Sequence, residues 1–148
     1  MSISTFLKTI LDYSYVAKRK KFLLNKSEVF CMAPWIQIHA QTNGMAAPCC
    51  MASFHGGNKI GDLHEDPDLL SIWNSEPMKI LRKDMLNERR NSICNHCYEY
   101  ERIGKFSERQ QYNRDFKADF KKVATTLPNG TVTNFKIPLL DIRFSNKC

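Results

Sequence analysis

The chain has 148 residues, six cysteines and a net charge of +7. With 43% hydrophobic and 25% charged residues it has the make-up of a globular protein, and a chain this long buries roughly 68–70% of its unfolded surface, enough for one core. No apolar run approaches the roughly 20 residues of a membrane-spanning helix, and the basic cluster of the N-terminal segment follows its apolar part, the reverse of a secretory signal.

These features point to an intracellular, cytoplasmic protein with no membrane partner. In a reducing compartment six cysteines are poor disulfide candidates, which leaves metal or iron–sulfur ligation as the better expectation. The positive charge raises nucleic acid or an acidic surface as partners. Its clearest run is Lys18–Lys21, which reads most simply as a solvated face. Neither a glycine-rich phosphate loop nor an RNP-type aromatic signature is present, so nucleic acid is not the expected partner.

Residues 4–24 read as a helix, with Phe6, Ile10, Leu11, Tyr13 and Val16 at three- to four-residue spacing. A packing arm explains this better than a membrane-surface helix, because the basic residues follow the stripe instead of opposing it. Residues 34–51 read as a β-hairpin. Ile36 and Ile38 alternate with Trp35, Gln37 and His39, Asn43-Gly44 supplies the turn, and Pro48 marks an edge or a strand end.

Residues 54–64 read as a loop. A helical pair follows, the first member capped by Asp66 with Pro67 at its first position and carrying Leu69, Leu70, Ile72 and Trp73. The second is capped by Ser75, has Pro77 near its start, and carries Met78, Leu81, Met85 and Leu86 to about Arg89. A turn holding Cys94 and a short helix from near Cys97 come next. Residues 107–122 are strongly polar, with a thin stripe of Tyr112, Phe116 and Phe120, and read as an exposed connecting helix. Residues 125–138 are linker-like, and Leu139, Leu140, Ile142 and Phe144 read as a buried strand.

Cys94-Asn95-His96-Cys97 is a C-x-x-C chelate, a spacing that lets one turn aim two thiolates at a common point. Cys31 precedes the first hairpin strand and Cys49 ends the second, so the hairpin brings both together. The helical pair then returns the chain to deliver Cys94 and Cys97. Four converging thiolates suit a [4Fe–4S] cluster or tetrahedral zinc. One knuckle plus two single cysteines is unlike the paired knuckles of zinc ribbons and favours iron–sulfur. Cys50 is the alternative to Cys49, because neighbouring strand residues face opposite ways. His39 and His96 are substitute ligands, read more simply as a hairpin surface residue and a solvent-facing loop residue.

"CMAPWIQIHAQTNGMAAPCC" (31–50), "KIGDL" (59–63), "SIWNSEPMKILRKDML" (71–86) and "CNHC" (94–97) together resemble a SPASM/twitch module of radical SAM enzymes. The resemblance covers roughly residues 30–100. It implies an auxiliary [4Fe–4S] cluster held by Cys31, Cys49, Cys94 and Cys97, in the shorter, single-cluster form. "LLDIRFSNKC" (139–148) is similar to the first strand of a radical SAM barrel, with Cys148 as the first ligand of an incomplete C-x3-C-x2-C motif.

The implied fold is α+β, in four parts. These are an N-terminal helical arm (1–28), a hairpin-plus-helices cluster module (29–104), a connecting helix and linker (105–136), and the first strand of a truncated (β/α) barrel (137–148). The resemblance further implies that the missing C-terminal barrel is a partner and that SAM and a second [4Fe–4S] cluster belong to the full-length parent, while this chain alone is inactive. The auxiliary cluster would serve electron transfer or substrate positioning, on a peptide or protein substrate. Arg82, Lys83, Arg89 and Arg90 are candidates to raise its potential, although surface solvation is their simpler use. No residue stands out as a catalytic acid or base. The alternative is a zinc-stabilised protein or nucleic-acid interaction module built on the same four cysteines; a thiol redox protein would need a thioredoxin-like βαβ context that is not evident.

Overall fold

The structure, a computed structural model, describes residues 3–53 and 58–145. Cys148 and residues 54–57 of the expected loop lie outside this range, and so do the side chains of Phe6, Ile10 and Leu11. Helix α1 (Ile3–Asn25) covers the expected stretch. Its described apolar stripe is not a packing face: Tyr13 and Val16 are exposed, and Leu23 is the side chain that enters the core. The helix is also fastened near its end by Arg19, whose Nη2 donates to the Leu86 carbonyl at 2.9 Å.

The chain then turns on Ser27, whose hydroxyl accepts from the amides of Val29 and Phe30. One helical turn, α2 (Ala33–Ile36), starts with Pro34 near its N-terminus. It replaces the first half of the expected strand, because proline's fixed φ and missing N–H suit a helix start. Strand β1 (Gln37–Ala40) and strand β2 (Met45–Ala47) form the hairpin, with His39 opposite Ala47. Gly44 closes the turn at φ 78°, as expected from Asn43-Gly44.

All four residues of β1 are buried, so the sequence alternation does not yield an outward face. The polar side chains find partners instead: Gln37 donates to the Pro48 carbonyl at 3.2 Å, and His39 meets Asp141. β1 lies between β2 and strand β4 (Leu139–Ile142), which pairs with it in parallel, His39 opposite Asp141. The two-residue strand β3 (Gly61–Asp62), inside the expected loop, completes a sheet of order β3-β2-β1-β4. β4 is an edge strand with alternate exposure: Leu140 and Ile142 are exposed, and Phe144 beyond it is 90% exposed. The expectation of a buried terminal strand is therefore corrected. It is half covered, and only a strand is seen there, not a barrel.

Between the strands run α3 (Cys50–Ser53), α4 (Leu69–Trp73), α5 (Glu76–Leu86) and α6 (Asn95–Arg102). Asp68, not Asp66, caps α4, accepting from the Leu70 amide at 3.0 Å. Asp66 serves the preceding turn by accepting from the Asp68 amide. Ser75 and Pro77 stand at the start of α5 as expected.

The polar stretch after residue 106 is neither one helix nor an exposed one. It breaks into α7 (Glu108–Asp115), a 3-10 turn (Lys117–Phe120) and α8 (Lys121–Ala124), and buries Arg109, Tyr112, Asn113, Phe120, Lys122 and Val123. A Ser107/Gln110 capping box starts α7. The linker-like stretch is packed as well: Val132 is fully buried and is gripped on both backbone atoms by the Asn74 side chain.

One buried cation joins these pieces. Arg82 of α5 is fully buried, where a surface role was the simpler expectation. Its Nε donates to the Pro34 carbonyl (2.9 Å), and its Nη1 donates to Asn74 Oδ1 (3.1 Å) and the Gly130 carbonyl (3.2 Å). The guanidinium also stacks 4.8 Å from the Trp73 ring centre. Burial pulls its pKa down to about 9, which leaves it protonated at neutral pH.

Gly130 occupies left-handed space at φ 88°, and a Cβ there would stand 2.3 Å from the Lys79 carbonyl oxygen. Replacing it with alanine sets a backbone clash against an unfavourable φ. The expected cost is about 3 kcal/mol in denaturant unfolding; a cost under about 1 kcal/mol would show that this loop is not held against α5.

Candidate metal centre

Cys31, Cys49, Cys94 and Cys97 line one narrow cavity walled by Pro34, Pro48, Leu81, Met85 and Ile93. The thiols come from three stretches of chain. Cys31 precedes α2, Cys49 follows β2, Cys94 ends a 3-10 turn (Ser92–Cys94), and Cys97 sits in the first turn of α6. Asn91 sets the last pair by capping the 3-10 turn, accepting from the Ile93 amide at 3.1 Å. Cys31 and Cys97 are buried, Cys49 and Cys94 partly so, and none of the described cysteines forms a disulfide.

Cys50 does not line the cavity. It starts α3, and its charged form is disfavoured first by burial and then by Asp141 and Glu108. His96 does line the cavity and stacks on Tyr100, half-buried where a solvent-facing residue was expected. His39 lies elsewhere and is buried, not a surface residue; its Nδ1 meets Asp141 Oδ2 at 2.9 Å across β1 and β4. Among the described residues no three His, Cys, Asp or Glu side chains are grouped tightly enough to hold a single metal ion.

Electrostatics mark the four as one site. Burial raises the pKa of each, and the thiolates then raise one another: Cys31 feels Cys94 and Cys49, Cys49 feels Cys94 and Cys97, and Cys94 feels Cys97. Cys94 is pushed up to about 12. Each thiol also has a neighbour that favours its charged form. The Ala33 amide donates to Cys31 Sγ at 3.4 Å, the amides of Ala52 and Arg109 favour the charged forms of Cys49 and Cys97, and the Tyr98 hydroxyl favours that of Cys94. That hydroxyl is buried with no hydrogen-bond partner of good geometry, so a thiolate at Cys94 would complete it.

Arg109 is the cation that belongs to the site. It lowers the pKa of Cys94 and Cys97, and it lines the same cavity. Its Nε bonds Glu101 Oε1 at 2.8 Å, and its Nη1 donates to the carbonyls of Ser27 (3.0 Å) and Phe30 (2.7 Å). Asn113, one turn along α7, accepts from the Met32 amide and donates to the Phe30 carbonyl, both at 2.9 Å. These two residues therefore clamp the backbone on either side of Cys31. Sequence reading missed both. The available signal was their spacing from the Ser107 cap, which puts polar side chains on one face of α7.

The cations singled out from sequence stand elsewhere. Arg82 is in the core node, Arg89 pairs with Asp84, and Arg90 lies 5.0 Å over the Tyr98 ring.

In a chain carrying no metal these raised pKa values set a pH dependence. Unfolded thiols titrate near 9.0, and the folded ones titrate higher. The stability this difference provides is complete below pH 9 and is lost as pH rises toward the folded values. The metal-free chain is expected to lose urea stability between about pH 9 and 11. The loss should be smaller in a Cys31→Ala/Cys94→Ala chain; equal losses would contradict the shared burial of these thiols.

Four thiols drawn from separate segments onto one desolvated cavity, each with a donor beside it, have the makings of a thiolate-ligated metal centre. More particularly, residues 31–98, a little under half of the chain, match the SPASM family model, described as an iron-sulfur cluster-binding domain. The match spans all four cavity cysteines and supports an iron–sulfur cluster-binding module over this stretch. No curated protein and no solved structure matches the chain significantly. Among the described residues no helix is long and apolar enough to cross a membrane.

Proposed function

We propose that Cys31, Cys49, Cys94 and Cys97 hold an auxiliary [4Fe–4S] cluster that serves a radical SAM enzyme. The observation that carries the reading is the convergence of these four thiols, and not Cys50, on one cavity. A lone zinc at about 2.3 Å from each sulfur would draw the thiols to within about 4 Å of one another, whereas a cubane takes one thiolate at each of its irons; one knuckle with two single cysteines, unlike the paired knuckles of zinc ribbons, favours the cubane. When bound, the cluster supplies one-electron transfer.

The chain's own residues then have defined tasks. The amides of Ala33, Ala52 and Arg109 and the Tyr98 hydroxyl donate toward sulfur, which favours the thiolates and raises the potential. Arg109 offsets the negative charge of the thiolates. The apolar wall excludes water from the cavity, and Asn113 holds the Cys31 segment in place. The role in the enzyme is electron relay or substrate positioning, with the barrel domain as partner and a peptide or protein side chain as substrate. This part of the reading rests on the motif resemblance of residues 30–100.

Metal analysis of the anaerobically purified chain tests the proposal. Iron and acid-labile sulfide in equal amounts, with a reduced-state EPR signal, are expected. A colourless protein holding one zinc, with no cluster formed on reconstitution, would replace it with a zinc-stabilised module.

A further inference from the structure

A second feature lies on the other side of Arg109. A groove of about 1080 Å³ runs between the C-terminal half of α1 and the corner where α6 meets α7. Lys20, Lys21 and Lys26 line one wall, and Arg102, Arg114 and Lys117 line the other. Only two carboxylates reach the groove, and both are engaged: Glu101 by Arg109, and Glu28 by Arg90 at 4.0 Å. Arg102 and Arg114 have exposed partners in Glu99 and Asp115. Among the described residues Lys20, Lys21, Lys26 and Lys117 pair with no carboxylate. Cations gathered on both sides of a groove focus a positive potential there and favour an anion, most strongly at low salt.

We propose that this groove docks an acidic polypeptide segment in extended form, with its carboxylates against the two rows of cations and its apolar side chains on Leu24. Shape favours a chain over a small anion. The α1 wall from Ala17 to Asn25 is about 12 Å long at 1.5 Å per residue, which an extended strand crosses in about four residues. Chemistry disfavours single-stranded nucleic acid. That partner needs open aromatic faces for stacking, yet the two groove aromatics each already carry an arginine, Arg90 at 5.0 Å over Tyr98 and Arg114 at 5.5 Å over Phe106. A bilayer is disfavoured because a flat surface cannot reach charges that face each other across a groove. The proposal does not depend on the cluster.

The test is fluorescence anisotropy of a labelled short peptide of Asp, Glu, Gly and Leu, titrated with the full chain both with and without its cluster. Saturable binding is expected in both states at about 0.05 M salt, weakening at least about tenfold by about 0.3 M as the Debye length shrinks. A Lys21→Glu/Lys117→Glu chain, both sites being exposed, should bind about tenfold more weakly, since each reversal replaces an attraction with a repulsion. Its circular dichroism should be unchanged. Lys59→Glu, outside the groove, should bind as the parent does, and an Asn/Gln version of the peptide should not bind. Absence of peptide binding, parental affinity in the reversed chain, or tighter binding of oligothymidine or of phosphatidylserine vesicles would overturn the proposal. A chain that binds peptide but no iron would sink the cluster reading alone.

Discussion

A Cys94→Ala chain, purified anaerobically beside the parent, is expected to retain almost no iron or sulfide, and Cys97→Ala should behave alike. Each removes one of the four thiols around the cavity and strips a partner from the others. With Cys94 gone, the buried Tyr98 hydroxyl also loses the thiolate it would serve. Cys50→Ala is the internal control. Its side chain lies outside the cavity, so iron content should stay at the parental level. Loss of iron in Cys50→Ala with retention in Cys49→Ala would reverse the assignment of the doublet.

The effect extends to folding. A ligand at about a thousand times its Kd stabilises the native state by about 4 kcal/mol. For a chain of this length, each kcal/mol moves Tm by roughly 2–4 °C. The loaded parent is therefore expected to melt roughly 10 °C above the Cys94→Ala chain, and chelation of the iron should bring the two together.

The second large effect is expected from Arg82→Met. The substitution keeps the apolar stem but removes donors from Pro34, Asn74 and Gly130, leaving buried carbonyls unpaired. Each such orphan costs about 1–3 kcal/mol. Against this, the mutation relieves the desolvation that lowers the arginine's pKa. Removing one partner of a buried charged network generally costs more than the relief returns, so a net loss of about 3 kcal/mol is expected in denaturant unfolding. Arg82→Lys should recover little of it, because one ammonium cannot span three acceptors that a planar guanidinium bridges. Neutral or increased stability in Arg82→Met would show that the node is not structural.

Much of the site was legible in the sequence because chelation is partly local. C-x-x-C fixes two thiols within one turn, and the hairpin implied by Asn43-Gly44 draws the segments that carry Cys31 and Cys49 toward each other. Helix starts at Ser75 and Pro77 were equally local. What stayed hidden depends on distant partners. Arg82, Arg109 and Asn113 read as solvated because they are polar, yet each has a backbone acceptor 48 to 83 positions away. Asp66 and Asp68 are both good caps, and the competition between them is decided by the turn that Asp66 already serves. The burial of His39 was invisible for the same reason: its Asp141 partner lies about a hundred residues downstream.

That last pairing has a consequence for where this protein can be cut. β1 obtains one of its two neighbours from residues 139–142, and the Cys31 segment is clamped from α7. The stretch that matches the family ends at residue 98, short of both. Excised as residues 29–104, it would expose one edge of its central strand and free the backbone beside its first ligand. The family boundary therefore marks a unit of recognition in sequence, not a unit of folding. Because the pairing joins positions so far apart, β4 adds to β1 only after a large loop has closed. That edge of the sheet therefore forms late, once the chain between the two strands has been made.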